Sequence, residues 1–177
     1  MTKKSGAPDL LLLEGVVSNK IIDVIHMASE RLTALGVRHV LIGAVAVNAY
    51  GRSRTTQDVD FLVGPEAFVE NGPIVYHKLG LPLTINDVVI DYLTLDTFDA
   101  ENELNNELDN PEVSEGVPII SGPALIYTKL VANRRRDKDD IIELMRLGIS
   151  ERSVRAYLKE HAPDAPELLE RFDDLVG

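Results

Sequence analysis

Residues 38 to 63 read RHVLIGAVAVNAYGRSRTTQDVDFLV, and the rest of the chain can be interpreted outward from this stretch. It begins with an apolar run over residues 40 to 42, which ends at Gly43 and is typical of a buried strand that meets a turn. Residues 44 to 50 then favour a short helix, and Gly51 follows where such a helix would end. A polar loop with two arginines leads to a second apolar segment. The pattern predicts strand, turn, helix, loop and strand in succession.

Two aspartates lie at the start of the second apolar segment, where Asp58 and Asp60 alternate with Val59 and Phe61. Because successive side chains of a strand point to opposite faces, both carboxylates are expected on one face. At about 3.3 Å of rise per residue, their Cα atoms would lie roughly 6 to 7 Å apart. Carboxylates at this spacing can converge on a hard divalent cation such as Mg²⁺. We therefore predict a metal site at these two residues.

This stretch resembles the nucleotidyltransferase superfamily, whose signature is a hydrophobic strand, a Gly-Gly or Gly-Ser pair and, about a dozen residues later, Asp-x-Asp. Here Gly43 and Ala44 follow the strand, and Asp58-Val59-Asp60 supplies the acids. The small branch related to bacterial abortive-infection toxins, the nucleotidyltransferases of type IV toxin–antitoxin pairs, is more similar still. Its loop reads Arg-x-Thr-x-Asp, matched here by Arg54 and Thr56. Ala44 departs from the pattern, because it offers a phosphate only its backbone N–H and no serine hydroxyl.

Composition describes an ordinary globular chain of 177 residues, with 45% hydrophobic and 27% charged residues. No cysteine is present, which excludes disulfides, thiolate metal sites and a cysteine nucleophile. The net charge of −11 argues against broad adhesion to nucleic acid but allows a local basic cleft. The sequence shows neither a signal segment nor an apolar stretch of membrane-spanning length, so we expect a cytoplasmic protein with no membrane contact.

Strands alternate with helices over the first two thirds of the chain, and only helices follow. The apolar periodicity predicts a helix over residues 19 to 36, and β-branched and aromatic content predicts a strand over residues 88 to 95. We expect a helical turn at residues 65 to 71. The predicted fold class is α/β (α+β), with a nucleotidyltransferase-like mixed sheet flanked by helices. Residues 1–120 would form this core, and residues 121–177 a helical lobe packed on it as one compact unit.

Asp91 interrupts the predicted strand of residues 88 to 95, between Ile90 and Tyr92. Burying an unpaired carboxylate costs several kcal/mol, so we expect Asp91 to have a partner or a metal. In the nucleotidyltransferases that the chain resembles, a third acid stands on a strand after the Asp-x-Asp strand, and Asp91 matches that place. Asp87 shares the face of Asp91 by parity, but a turn acid is the simpler interpretation for it.

The resemblance extends into the helical part of the chain. In the toxin-like branch a helical lysine precedes an Asp-x-x-Asp motif, matched here by Lys129 and by Asp137 with Asp140. Purely structural interpretations exist as well. Asp137 could be a helix N-cap, Asp140 a first-turn acid, and Lys129 a surface residue whose stem covers apolar neighbours.

The resemblance implies transfer of a nucleotidyl group from a nucleoside triphosphate such as ATP to an acceptor hydroxyl. It gives catalytic roles to Asp58, Asp60, Asp91 and Lys129, the three acids holding two Mg²⁺ ions, or Mn²⁺ in their place. The nucleotide would contact Gly43, Ala44, Arg54, Thr56, Lys129, Asp137 and Asp140.

The acceptor is left open by the sequence. The toxin-like relatives indicate RNA, including the 3′ end of tRNA, for which the arginines at 134 to 136 offer a contact, and an antitoxin protein as partner. A protein side chain or a small metabolite are the alternative acceptors. A different class of function is a non-catalytic nucleotide-binding or interaction protein on the same fold. A metal hydrolase is the weaker alternative because the four histidines are scattered.

Overall fold

The computed structural model describes residues 6–98 and 104–177, and a six-stranded mixed sheet forms its centre. The sheet has the strand order β5-β6-β2-β1-β8-β7, and β3 and β4 form a separate antiparallel hairpin. In chain order the strands are β1 (His39–Ile42), β2 (Val59–Val63), β3 (Phe68–Asn71), β4 (Ile74–His77), β5 (Thr84–Ile85), β6 (Val88–Leu93), β7 (Glu112–Ser114) and β8 (Val117–Ile119).

Helices flank this sheet and make up the C-terminal third of the chain. They are α1 (Asn19–Ala34), α2 (Gly43–Ala49), α3 (Asn105–Asp109), α4 (Gly122–Ala132), α5 (Arg135–Arg146), α6 (Glu151–His161) and α7 (Pro166–Val176). Short 3-10 helices span Leu10–Leu13, Pro65–Ala67 and Leu95–Phe98. The predicted α/β class, a mixed sheet with flanking helices, is confirmed. The division of the chain at residue 120 stays a prediction.

The register of the three central strands places the candidate acids. β1 is buried at all four positions and pairs antiparallel with β2, so that Ile42 faces Asp60. β2 in turn pairs parallel with β6, and there Asp60 faces Asp91. Ile42, Asp60 and Asp91 therefore form one row across three neighbouring strands, at the end of β1 where the chain turns into α2.

Helix α1 forms for the reason that the sequence predicted, its apolar periodicity. Its apolar positions recur on one face, and the side chains of Ile21, Ile25 and Leu32 are buried in the core. The Ser18 side chain accepts a hydrogen bond from the Ile21 amide at 3.3 Å, which satisfies one of the free N–H groups of the first turn. The predicted helix over residues 19 to 36 is thus formed over Asn19–Ala34.

Helix α4 is the centre of the helical part, since its side chains are buried almost all round and α5, α6 and α7 pack against it. It begins at Ser121, whose side chain accepts from the Ala124 amide, and it ends at Asn133 in the left-handed conformation. A helix buried on every side shows no amphipathic face. No helix of the described residues combines the length and the apolar character needed to cross a membrane.

Two sequence expectations are corrected, and one strand had not been predicted. The helical turn predicted for residues 65 to 71 is confined to Pro65–Ala67, because the residues after it pair with β4. Strand β7 was not predicted, since two of its three side chains are exposed and carry little periodic signal. Asp91 is exposed rather than buried, because β6 alternates buried Val88 and Ile90 with exposed side chains. The cost of burying a carboxylate therefore gives no argument for a metal at this position.

Candidate active site

A cleft of about 440 Å³ lies between the sheet and helix α4, on the row that contains Asp60. Four of its side chains are charged and lie near one another, those of Asp60, Lys129, Arg134 and Asp137, and we call this part its charged end. Its lining residues are Ile42, Gly43, Asp60 and Leu93 from the sheet and its turn, Thr97 and Phe98 from the segment after β6, and Leu125, Thr128, Lys129, Val131, Ala132, Arg134 and Asp137 from the helical part. The mixture of an apolar wall with convergent polar groups is typical of a ligand site.

Gly43 and Asp60 touch each other at the charged end of the cleft. Gly43 has a φ of +69°, which side-chain-bearing residues rarely adopt. A Cβ atom at this position would overlap Oδ2 of Asp60 and lie 2.9 Å from its Cγ. The turn therefore needs glycine for two reasons, its backbone conformation and the space that the aspartate occupies.

Asp60 is half-buried among other acids, and its pKa is raised to about 6. Burial is the largest cause, and the negative charges of Asp91 and Asp58 add to it, whereas Lys129 and Arg134 oppose it. Asp58 precedes β2 and is exposed, as is Asp91 on β6, and neither lines the cleft. The described residues make no hydrogen bond to the Asp60 carboxylate. The three acids are therefore neighbours that repel one another.

The donor chemistry of this acid group fits the magnesium that the resemblance implies, because carboxylate oxygens are its preferred protein ligands and a cation would offset their repulsion. Within residues 6–98 and 104–177, no three His, Asp or Glu side chains form a ready set of metal ligands. Binding would require the exposed carboxylates of Asp58 and Asp91 to turn toward Asp60.

A network of charges surrounds the ammonium group of Lys129 at the cleft, with two buried carboxylates at its centre. Lys129 Nζ is 2.7 Å from Asp140 Oδ2 and 3.4 Å from Asp137 Oδ1. Asp140 also accepts from Arg54 Nη1 at 2.6 Å, and its Oδ1 lies 3.1 Å from Arg52 Nε. Both carboxylates are buried, with 0% of Asp137 and 1% of Asp140 exposed.

Asp137 connects this network to the cleft through Arg134. Arg134 Nε donates to Asp137 Oδ2 at 2.7 Å, and the Arg134 backbone N–H donates to the same atom at 3.1 Å. Burial alone would raise the pKa of Asp137, but the hydrogen bonds from Arg134 and the charge of Lys129 outweigh it and hold the pKa below its usual range. With Arg52 and Arg54, four cations face two carboxylates, so the network has a formal surplus of positive charge.

These contacts correct the purely structural interpretations of the same residues. Asp137 is not the N-cap of α5: it stands at the third helical position, and its carboxylate binds the backbone N–H of the capping residue, Arg134. Asp140 lies beyond the first turn of that helix. Lys129 is not a surface lysine, because only 5% of it is exposed and its charge is paired on both sides.

The predicted site residues fall into three groups. The first group lines the cleft and consists of Gly43, Asp60, Lys129 and Asp137. The second group contacts or surrounds the first without lining the cleft and consists of Asp58, Asp91, Arg54 and Asp140. The third group is Ala44, which lies in α2, and Thr56, whose hydroxyl bonds to the backbone of Asp58 in the loop. The functional roles of all these residues stay predictions.

Two residues that the sequence did not single out individually contribute to this region. Arg134 lines the cleft and holds Asp137, although the sequence shows it only as part of a basic run. Asn48 is buried in α2 and hydrogen-bonds to the backbone of Arg54. A lone polar residue in an otherwise apolar helix was the available signal for Asn48.

Comparison with solved structures shows similarity to an antigenic nucleotidyltransferase-like protein from Paracoccidioides brasiliensis. The TM-score is 0.50 at 16% sequence identity, and the match covers 88% of this chain and 93% of that chain. No family model matches the sequence, and no curated protein matches it either. The narrower resemblance to the abortive-infection branch stays a prediction. At this level of identity the likeness concerns the fold, and the chain therefore has a nucleotidyltransferase-like fold.

Proposed function

We propose that this protein transfers a nucleoside monophosphate from a nucleoside triphosphate to an acceptor hydroxyl. The observation that carries the proposal is the contact of Asp60 with Gly43 at the charged end of the cleft, with Asp91 beside Asp60 in register. Because Gly43 lacks a side chain, its backbone and the Asp60 carboxylate both lie at the cleft, where a phosphate would meet them. The nucleotidyltransferase-like fold supports the same interpretation.

The cleft lining offers both charged and apolar groups to a nucleotide. Lys129 and Arg134 lie at the charged end, where their positive charge can offset that of a triphosphate. Leu93, Phe98 and Leu125 contribute apolar wall, against which a base could pack. Since Gly43 has no side chain, the backbone at this turn can approach a phosphate closely.

Asp58, Asp60 and Asp91 would hold magnesium in this proposal. When bound, the ion supplies charge stabilisation at the attacking and leaving oxygens of an in-line displacement. The acceptor oxygen attacks the α-phosphorus, the bond to the bridging oxygen breaks, and pyrophosphate leaves. Because the pKa of Asp60 is about 6, its carboxyl is mostly ionised at neutral pH, and Asp91 is the exposed carboxylate that can take the proton of the acceptor hydroxyl.

The acceptor in this proposal is a phosphate-bearing molecule such as RNA. Arg135, Arg136 and Lys138 are exposed at the start of α5, directly after the cleft residue Arg134. A cluster of four basic residues beside the cleft stands out in a chain of net charge −11. A toxin role with an antitoxin partner would follow from the abortive-infection resemblance, and a protein acceptor is the alternative.

The test compares Asp60→Asn with a matched control, Asp87→Asn. Asp87 is also an aspartate next to β6, but its side chain is 99% exposed and does not line the cleft. Each protein is incubated with magnesium, an α-labelled triphosphate and total RNA, and both the label on macromolecules and the released pyrophosphate are measured. The proposal predicts label transfer by the wild type and Asp87→Asn and its loss in Asp60→Asn. Equal transfer by all three proteins would refute it.

A second candidate function, nucleotide binding without catalysis, is favoured by one specific observation. Asp58 and Asp91 are exposed and outside the cleft lining, and the ammonium of Lys129 is already engaged by two carboxylates. Tight binding of a triphosphate by calorimetry, together with no pyrophosphate release on any acceptor tested, would favour this second function.

A further inference from the structure

The loop between α2 and β2 is held at its middle residue, Arg54, from two sides. The Arg54 backbone N–H donates to Asn48 Oδ1 at 2.7 Å, and Asn48 Nδ2 donates to the Arg54 carbonyl at 2.7 Å. The Arg54 side chain donates from Nη1 to Asp140 Oδ2 at 2.6 Å. Asn48 and Asp140 are each only 1% exposed, so both anchors are fixed in the interior.

Besides Arg54, the loop is held by Arg52, whose Nε lies 3.1 Å from Asp140 Oδ1 and whose backbone N–H donates to the Val47 carbonyl at 3.3 Å. Residues 51 to 57 are polar or glycine and alternate between exposed and half-buried, so no apolar side chain of the loop is packed in the core. A buried amide or carboxylate stabilises the fold only when its hydrogen bonds are made. Both side-chain hydrogen bonds that Asn48 makes with the described residues go to the backbone of Arg54, as a paired strand would bond to it, and they fix that residue.

The same carboxylate atom reaches the cleft lysine. Asp140 Oδ2 accepts from Arg54 at 2.6 Å and from Lys129 at 2.7 Å. The loop leads directly into Asp58 and then into β2, which carries Asp60. One buried oxygen thereby connects the segment before the acids with the lysine that lines the cleft.

We infer that Arg54 is a positioning residue: clamped by Asn48 and Asp140, it sets the loop that carries Asp58 relative to Lys129. It does not bind the nucleotide, in contrast to the role that the sequence resemblance gives it. The absence of Arg54 from the cleft lining agrees with this inference, which rests on the proposed function for its effect on catalysis.

The first test measures the hydrogen bond between Asn48 and the Arg54 backbone and needs no enzymatic activity. Amide hydrogen exchange of Arg54 reports the bond to Asn48 Oδ1, because exchange requires that this N–H open to water. In Asn48→Ala the Arg54 amide should exchange faster by roughly fivefold or more, the loss of one buried hydrogen bond being about 1 kcal/mol or above. Asn106→Ala, an exposed asparagine of α3, is the control and should leave this rate unchanged. An unchanged rate in Asn48→Ala would overturn the inference.

The second test separates positioning from nucleotide binding. Arg54→Met should lower kcat by on the order of tenfold to a hundredfold, as small displacements of catalytic groups do, and leave KM for the triphosphate unchanged. Arg54→Lys should recover most of kcat, because one ammonium can replace the single bond to Asp140. In an Asp140→Asn background, Arg54→Met should add little further loss, since the two residues act through one contact.

Three outcomes of the second test contradict the inference: a raised KM with kcat retained, no recovery by Arg54→Lys, and full additivity with Asp140→Asn. Thermal melts of each variant ensure that only folded protein is compared. If the wild type transfers no nucleotide, the proposed function is refuted, but the inference about Arg54 is not. The inference is then judged by the exchange rate of Arg54 and by nucleotide affinity, which Arg54→Met should leave within about twofold.

Discussion

Asp60 should destabilise the folded protein at neutral pH, and replacing it by asparagine should therefore increase stability. Its pKa in the fold is about 6, against a usual value of 3.8. The unfolded chain releases this proton near pH 4, whereas the folded protein retains it until about pH 6, so the stability contributed by this group falls between these two values. At 1.36 kcal/mol per pKa unit, the folded state loses up to about 3 kcal/mol at a pH near 8.

Asp60→Asn keeps the shape of the side chain and removes the charge. We expect this variant to be more stable than the wild type by up to about 3 kcal/mol near pH 8, and by only about 1 kcal/mol near pH 4.5, where the wild-type carboxyl is protonated in the fold. Urea unfolding followed by circular dichroism, with a chelator present to remove metal ions, gives the free energy of unfolding at each pH. Asp87→Asn is the control, because that side chain is 99% exposed, and it should not reproduce the gain expected of Asp60→Asn.

The reasoning is refuted if Asp60→Asn is as stable as the wild type near pH 8, or if its gain in stability is the same at both pH values. The first result would mean that burial and the neighbouring acids do not act on this carboxyl. The second result would mean that the gain in stability does not come from removing the charge of Asp60. A change in the slope with urea would show instead that the unfolded state had changed.

Three further predictions concern the same region. Asp140→Ala should lower the free energy of unfolding by about 3 to 5 kcal/mol, because it leaves the buried ammonium of Lys129 and two half-buried arginines without this carboxylate. Asp139→Ala, on the exposed side of the same helix, should stay within about 0.5 kcal/mol of the wild type in urea unfolding. Gly43→Ala should be destabilised more than Gly36→Ala, since both glycines have φ of +69° but only Gly43 would also overlap Asp60, and equal losses in thermal melts would contradict this. Saturating Mg²⁺, at about 100 times its dissociation constant, should stabilise the wild type by about 2.7 kcal/mol and leave Asp60→Asn unchanged, and an equal gain in both would place the ion elsewhere.

The part of the site that the sequence predicts is the part encoded locally. Gly43 and Asp60 lie within one strand-turn-helix-loop-strand unit, and the antiparallel pairing of β1 with β2 follows directly from that unit. Helix α1 can be predicted equally well, because its apolar residues recur at helical spacing over sixteen residues. In these segments local pattern and tertiary packing favour the same structure.

The remainder depends on contacts between distant residues. Arg54 meets Asp140 across 86 positions of the chain, and no spacing rule connects a loop arginine to a helix acid so far away. The family resemblance predicts a contact between Arg54 and the nucleotide, whereas in the structure the Arg54 side chain forms an ion pair with Asp140. The hairpin of β3 and β4 escaped prediction for another reason, since its side chains are mostly exposed and give no alternation of buried and polar positions.

The account as a whole depends on nucleotidyl transfer from this cleft, and the mass of the acceptor after reaction tests that claim most directly. Total RNA and the protein itself are incubated with magnesium and each of the four nucleoside triphosphates, and mass spectrometry then measures the mass added to each acceptor. We predict a gain of one or more nucleoside monophosphate units that requires the Asp60 carboxylate. A gain of a single phosphate, or a nucleotide that is bound but leaves every acceptor mass unchanged, would contradict the account.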